Sequence, residues 1–162
     1  MKTSAKGRAF IEQIEESGVA KLKPYNDGTG TLTIGFGHTS TAGPPKVYRG
    51  MTITAEQADA ILASDLRSVE IEVEHLVHVP LTQAQFDTLV SFQFNLGKLG
   101  RSTLLKRLNA GNYNAVPAEL LKWNKMKIGG VLKTAKGLVK RRRAEGAMWT
   151  GDYASAMKIA KS

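Results

Sequence analysis

The segment ITAEQADAILASDLRSVEIEVEHLV, which begins at Ile53, constrains the fold more than any other stretch. Thr54 followed by Gln57 is a capping box. Ala58, Ile61, Leu62, Leu66, Val69, Val73 and Leu76 then recur at helical spacing. A helix over 54–78 is predicted, long enough at ~1.5 Å per residue to join two lobes. VPLTQAQFDTLVSFQFNLG repeats the device. Pro80 breaks the chain, Thr82 and Gln85 cap, and Phe86, Leu89, Val90 and Phe94 make an apolar face. Such a helix belongs at the centre of a helical lobe.

Ahead of these helices the pattern changes. Residues 4–17 read as a short helix capped by Ser4, with Phe10, Ile11 and Ile14 on one side and Ser17-Gly18 as its stop. Residues 19–38 read as a small antiparallel sheet, and 39–52 as a loop stiffened by Pro44-Pro45. After the central helix come helices over 102–109, 116–124, a basic one in TAKGLVKRRRAEGAMWTGD, and 152–160. Gly129-Gly130 reads as a break before the basic helix. The order predicts a mainly helical α+β fold in a single domain. Its N-terminal lobe covers about 1–53, its interlobe helix 54–78 and its C-terminal helical lobe 79–162.

Composition narrows the function. Lys and Arg number 23 against 14 Asp and Glu, a net charge of +9, which draws the chain to polyanions. Nucleic acid, anionic cell-wall polymer and anionic membrane are all candidates. KRRR alone does not make a nucleic-acid module, since aromatic platforms and a helix-turn-helix context are missing. The absence of cysteine excludes disulfides and thiolate metal sites. Three scattered histidines, His38, His75 and His78, predict no metal, and no cofactor is expected. The N-terminus carries no signal-peptide pattern and no segment has the length of a membrane span. Synthesis in the cytoplasm, with export left to another agent, is the expectation.

Chemistry concentrates in YNDGTGTLTIGFGHTS, residues 25–40. A hairpin here brings Asp27 beside Thr33, and the end of the first helix brings Glu15 or Glu16 near. A carboxylic acid opposite a second polar group is what glycosidic-bond cleavage requires: one protonates the leaving oxygen, the other manages the sugar carbon or the water.

Tyr25, Asp27, Thr33, Ile34, Gly35, Phe36, Gly37 and His38 resemble the active-site hairpin of phage-type muramidases, in which Tyr-x-Asp is followed six residues on by Thr, then by Ile/Val-Gly-x-Gly-His. QFDTLVSFQFNLG, STLLKRLNAGNY and GLVKRRRAEGAMWTGDY resemble later segments of the same family in the same order, so the resemblance spans nearly the whole chain. It implies a lysozyme-like fold and hydrolysis of the β-1,4 bond between N-acetylmuramic acid and N-acetylglucosamine in peptidoglycan. It implies inversion by attack of water, with a Glu at the end of the first helix as general acid, Asp27 orienting or activating, and Thr33 holding the water. It further implies that a basic residue, Arg141, reaches the catalytic Glu. His38 would pair with Asp65 to pin the hairpin, and Tyr25, Phe94 and Asn95 would line the cleft. A monomeric endolysin stored in the host cytoplasm and released through a holin follows from the same resemblance. The basic last helices, with Lys133, Lys136, Lys140 and Arg141 to Arg143, would touch lipopolysaccharide or the outer membrane.

The sequence departs from the family at one place. In IEESGVAKLKPYND ten residues separate Glu16 from Asp27, where the family has eight, and Ser17 stands where Gly is usual. The simplest alignment selects Glu16. Glu15 is the alternative, and it lies nearer the apolar face of the helix. A lytic transglycosylase would cut the same bond with a single Glu, leaving Asp27 and Thr33 without a role.

Overall fold

The computed structural model describes residues 1–162. Helix α1 (Ala5–Glu16) leads into a three-stranded antiparallel sheet of β1 (Lys21–Asn26), β2 (Leu32–Gly35) and β3 (His38–Thr39), in that order. Helix α2 (Ala55–Leu76) follows, then α3 (Gln83–Leu96), α4 (Thr103–Asn109) and α5 (Val116–Leu121). A second hairpin, β4 (Lys125–Ile128) and β5 (Val131–Thr134), precedes α6 (Lys136–Trp149) and α7 (Tyr153–Lys161). No helix is long and apolar enough to cross a membrane.

Both predicted capping boxes form. Thr54 accepts from the Gln57 amide while the Gln57 side chain accepts from the Thr54 amide, and Thr82 and Gln85 do the same for α3. Each box satisfies two backbone N–H groups that a helix start would otherwise leave unpaired. The 22 residues of α2 span roughly 33 Å at ~1.5 Å per residue. Its length lets it touch all three strands of the first sheet and α3 as well. One contiguous apolar core runs from Ile34 and Ile53 beneath the sheet, along Leu62 and Leu66, to Phe92, Leu104, Met148 and Trp149 among the later helices.

Chain order places α1 with the sheet, but packing places it elsewhere. It lies against α3 and α7. The link is polar and buried: Asp87 of α3 is fully buried and accepts from the Ser4 amide at 3.0 Å, the Ser4 hydroxyl, Gln83 Nε2 at 2.9 Å and the Tyr153 hydroxyl at 2.6 Å. Four donors are what a buried carboxylate needs to offset its lost hydration. The carboxyl also sits where a side chain at position 7 would go. A Cβ on Gly7 would lie 2.5 Å from Asp87 Cγ, so only glycine lets helix and carboxylate approach this closely.

Three sequence expectations need correction. Gly129-Gly130 is not a mere break but the turn of the β4–β5 hairpin, both glycines having positive φ. The helix expected over 116–124 stops at Leu121, because β4 begins soon after. Arg141 and Arg142 cannot both touch an outer-membrane surface as expected: Arg142 is fully buried and Arg141 is 4% exposed, while Lys140 is half-buried and Arg143 exposed.

Candidate active site

Helix α1 ends at Glu16, and its stop shapes the site. Ser17 adopts a left-handed conformation with φ of 56°, the only non-glycine in the chain with positive φ, and its amide returns to the Glu12 carbonyl. This is the cap position that glycine ordinarily fills. Glu16 is therefore the last helical residue before a left-handed cap, and the chain turns there into β1.

β1 and β2 pair so that Tyr25 stands directly opposite Thr33, which puts both side chains on one face of the sheet. The Tyr25 hydroxyl donates to Glu16 Oε1 at 2.8 Å. Its pKa is pushed up to about 12 by burial first, then by the bond to Glu16 and the charges of Glu16, Asp27 and Glu15. Tyr25 thus remains a neutral donor, and its hydroxyl lies where the fields of three carboxylates overlap. Asp27 is fully exposed and accepts from the Thr29 amide at 2.8 Å and the Thr29 hydroxyl at 2.6 Å. Those bonds hold it below the usual carboxylate range, so it is ionised at neutral pH. Thr33 is buried, its hydroxyl 3.3 Å from the Thr31 carbonyl.

Arg141 does reach an acidic residue at the end of α1, but that residue is Glu15. Nη1 donates to Glu15 Oε1 at 2.5 Å. The expectation that one glutamate is both the Glu16 of the alignment and the partner of Arg141 therefore divides between two neighbours. Arg141 is fixed from behind: Nε donates to Glu145 Oε1 at 3.1 Å and Nη2 to the Ser91 carbonyl at 3.1 Å. Glu145 Oε1 also receives Arg142 Nη2 and the Ser91 hydroxyl, each at 2.9 Å. Two guanidinium groups and two carboxylates balance. Even so, Arg142 Nε and Nη1 and Glu145 Oε2 are buried without a partner. Burial pulls the Arg142 guanidinium down from its ordinary value and Glu145 opposes it. The Arg142 guanidinium also lies over the Phe92 ring, 5.1 Å from its centroid.

Asn95 faces this cluster, with its side-chain oxygen accepting from Arg142 Nη2 at 2.8 Å. That oxygen, expected to be available for an N-acetyl group, is already engaged; the amide nitrogen is not. Phe94 is half-buried and packs against the core. His38 and Asp65 pair as expected, Nδ1 to Oδ2 at 2.8 Å, while Nε2 lies 2.8 Å from the Pro45 carbonyl. Both ring nitrogens are engaged with protein oxygens. Burial raises the Asp65 pKa and the bond to His38 opposes the rise.

The sequence reading missed Ser91 and Glu145, although Arg141 and Glu145 are four apart on a helix, a spacing that pairs opposite charges. It also missed Glu12, which faces Asp59 of α2. Glu12 is raised to about 7 by burial first, then by its bond to Asp59 and the Asp59 charge, with Arg8 opposing. A separate apolar groove of about 390 Å³ between residues 44–53 and α2, lined by Pro44, Met51 and Ile61 among others, holds no carboxylate and no site residue.

Residues 15–145 match the family model described as phage lysozyme. The chain is 40% identical over 151 residues to the endolysin of Acyrthosiphon pisum secondary endosymbiont phage 1, covering 92% of this chain and 98% of that one. It is 40% identical over 141 residues to the endolysin of Salmonella phage P22, covering 86% and 93%. Its fold is similar to that of the muramidase domain of SpmX from Asticaccaulis excentricus, with a TM-score of 0.81, 33% identity and coverage of 91% of this chain and 97% of that one.

Proposed function

Because the chain belongs to the phage lysozyme family, we propose that it cleaves the β-1,4 bond from N-acetylmuramic acid to N-acetylglucosamine with Glu16 as general acid, in an inverting reaction. It is a lysozyme-type glycoside hydrolase of the endolysin kind, and its substrate is peptidoglycan. The observation that carries the assignment of the acid is the place of Glu16 as the last helical residue before the left-handed cap, where it meets Tyr25 of the hairpin; the Arg141 contact, which the resemblance gives to the acid, falls on its neighbour Glu15. Arg141 bonds to Glu15 and is itself held by Glu145 and the Ser91 carbonyl, so Glu15 is engaged in the buried network behind the helix end. Glu16 has no cation and receives only the neutral Tyr25 hydroxyl.

In this reading Glu16 protonates the glycosidic oxygen. The ionised Asp27 orients or activates a water held with the help of Thr33. Water attacks from the face opposite the leaving group, which inverts the anomeric carbon. Tyr25 orients Glu16, while Glu15, Arg141 and Glu145 fix the end of the helix. His38 and Asp65 anchor the hairpin, and Phe94 with the Asn95 amide nitrogen borders the glycan. The sheet and its loop to residue 53 make one wall of the cleft and residues 79–162 the other, with α1 built into the second.

The protein acts as a monomer, stored in the host cytoplasm and passed to the wall through a holin. The exposed or half-buried cations of α6, Lys136, Lys140 and Arg143, add contact with outer-membrane lipopolysaccharide; the buried Arg141 and Arg142 take no part. A charge-reversed variant at these three positions is expected to lyse cells from outside less well than the parent.

The decisive experiment is mass spectrometry and proton NMR of muropeptides from purified peptidoglycan. Free reducing ends that appear first as the α-anomer are expected. A 1,6-anhydro product would replace this reading with a lytic transglycosylase.

A further inference from the structure

The β4–β5 hairpin has an unusual distribution of side chains. All eight strand residues are exposed. Met126 is 48% exposed, Ile128 48%, Val131 56% and Leu132 61%, an apolar group that no other part of the chain covers. The register orders these residues along the arm. At the tip, beside the Gly129-Gly130 turn, Ile128 pairs with Val131. One step back Lys127 pairs with Leu132, next Met126 with Lys133, and at the base Lys125 with Thr134. The tip is wholly apolar and every step behind it carries one lysine.

At ~3.3 Å per residue, the lysines fall within about 10 Å of the tip. Apolar groups of interfacial elements bury about 5–10 Å into the boundary between headgroups and acyl chains. Lysine stems can lie along that boundary while their ammonium groups reach the phosphates. The surroundings add charge of one sign. Residues 120–144 contain no Asp or Glu, but six Lys and three Arg. Lys98 and Lys122 line a groove of about 300 Å³ together with Lys125 and Leu132.

We infer that this hairpin docks the protein on anionic phospholipid bilayers, with Ile128 and Val131 entering the acyl boundary and Lys125, Lys127 and Lys133 holding phosphate groups. None of the hairpin's residues bonds to Glu15, Glu16, Tyr25 or Arg141, whose partners lie elsewhere. It would keep the enzyme beside a membrane while the cleft works on the wall.

The test is cosedimentation of the full chain with vesicles of phosphatidylglycerol and phosphatidylethanolamine, and with vesicles of phosphatidylcholine alone. The parent is expected to bind the anionic vesicles at least tenfold more tightly, and less so as salt rises. Ile128→Asn with Val131→Asn should lower anionic binding at least tenfold. Lys127→Gln with Lys133→Gln should lower it several-fold and flatten the salt dependence. Both double variants should cleave soluble glycan oligomers at the parental rate. Equal sedimentation of parent and both variants would overturn the inference. So would variants that keep vesicle binding but lose glycan cleavage, because the hairpin would then belong to the substrate cleft.

Discussion

Arg141 Nη1 stands 2.5 Å from Glu15 Oε1, and no comparable cation contacts Glu16. One turn of chain therefore presents two carboxylates in opposite electrostatic settings. A guanidinium 126 positions away bonds to one, and the other meets a phenol.

Replacing each by glutamine separates their roles. Glu16→Gln should lower turnover on purified peptidoglycan by about 10²–10⁴-fold, the usual contribution of a general acid. Glu15→Gln should stay within about tenfold of the parent, with the loss traced to a less rigid helix end. Assays at equal folded concentration decide. If only the Glu15 variant is inactive, the acid is Glu15.

Glu145→Gln removes the carboxylate between two buried guanidinium groups. Uncompensated buried charge of this kind costs about 3–5 kcal/mol. In a chain of this size that lowers the melting temperature by roughly 10 °C. Differential scanning calorimetry measures it. A change of only a degree or two would mean that the cluster is hydrated and contributes little.

His38→Asn breaks the pair with Asp65, whose oxygen lies 2.8 Å from Nδ1. The expected loss is about 1.5–3 kcal/mol in urea unfolding, the range for hydrogen bonds to charged groups. Turnover below the melting range should remain within a few-fold of the parent. Loss of turnover in a fully folded variant would make the ring a participant in the chemistry.

Glu12 supplies a pH dependence of stability. Its folded pKa, about 7, lies above the reference value of 4.5, so the folded chain holds the proton more tightly than the unfolded chain. Its contribution is complete below 4.5 and is lost as pH rises through 7. Asp59 moves the other way, its pKa being lowered by the bond to Glu12, so its own contribution is lost only at more acid pH. Glu12→Gln should match the parent near pH 4.5 and exceed it at pH 8. The gain is on the order of 1 kcal/mol or less, since the half-buried pair is screened by solvent. Urea unfolding at both pH values tests this, and a variant weaker at pH 8 would show Glu12 serving as an ionised partner.

Parts of the molecule were legible in the sequence for identifiable reasons. Helices α2 and α3 carry local stop and start signals in Thr54, Gln57, Pro80, Thr82 and Gln85, which act within one turn of the chain. The hairpin itself was legible because its turn signals are also local, but its register was not: Asp27 was expected beside Thr33, whereas Tyr25 stands opposite Thr33 and the Asp27 amide bonds to the Thr31 carbonyl. The β4–β5 hairpin was readable in principle, since Gly-Gly between two runs with strand-like alternation signals a tight turn. Its lysines and its lack of a buried face hid it, leaving only the glycines as a break. The choice of Arg141 between Glu15 and Glu16 lay beyond sequence reading. It depends on how α6 lies across α1, and on Ser91 and Glu145 holding the guanidinium in place. The buried state of Arg142 escaped for the same reason, because three consecutive arginines look solvated until their neighbours are known.

The contacts of Asp87 impose an order on the life of the molecule. Ser4, the cap of α1, and Tyr153, the first residue of α7, meet on one carboxylate of α3. While the ribosome is still translating α7, α1 lacks one of the two helices on which it rests. A nascent chain therefore carries every residue of the hairpin for most of its synthesis without owning a working cleft. The cleft is completed only when α7, 137 residues after the end of the Glu16 helix, has joined it.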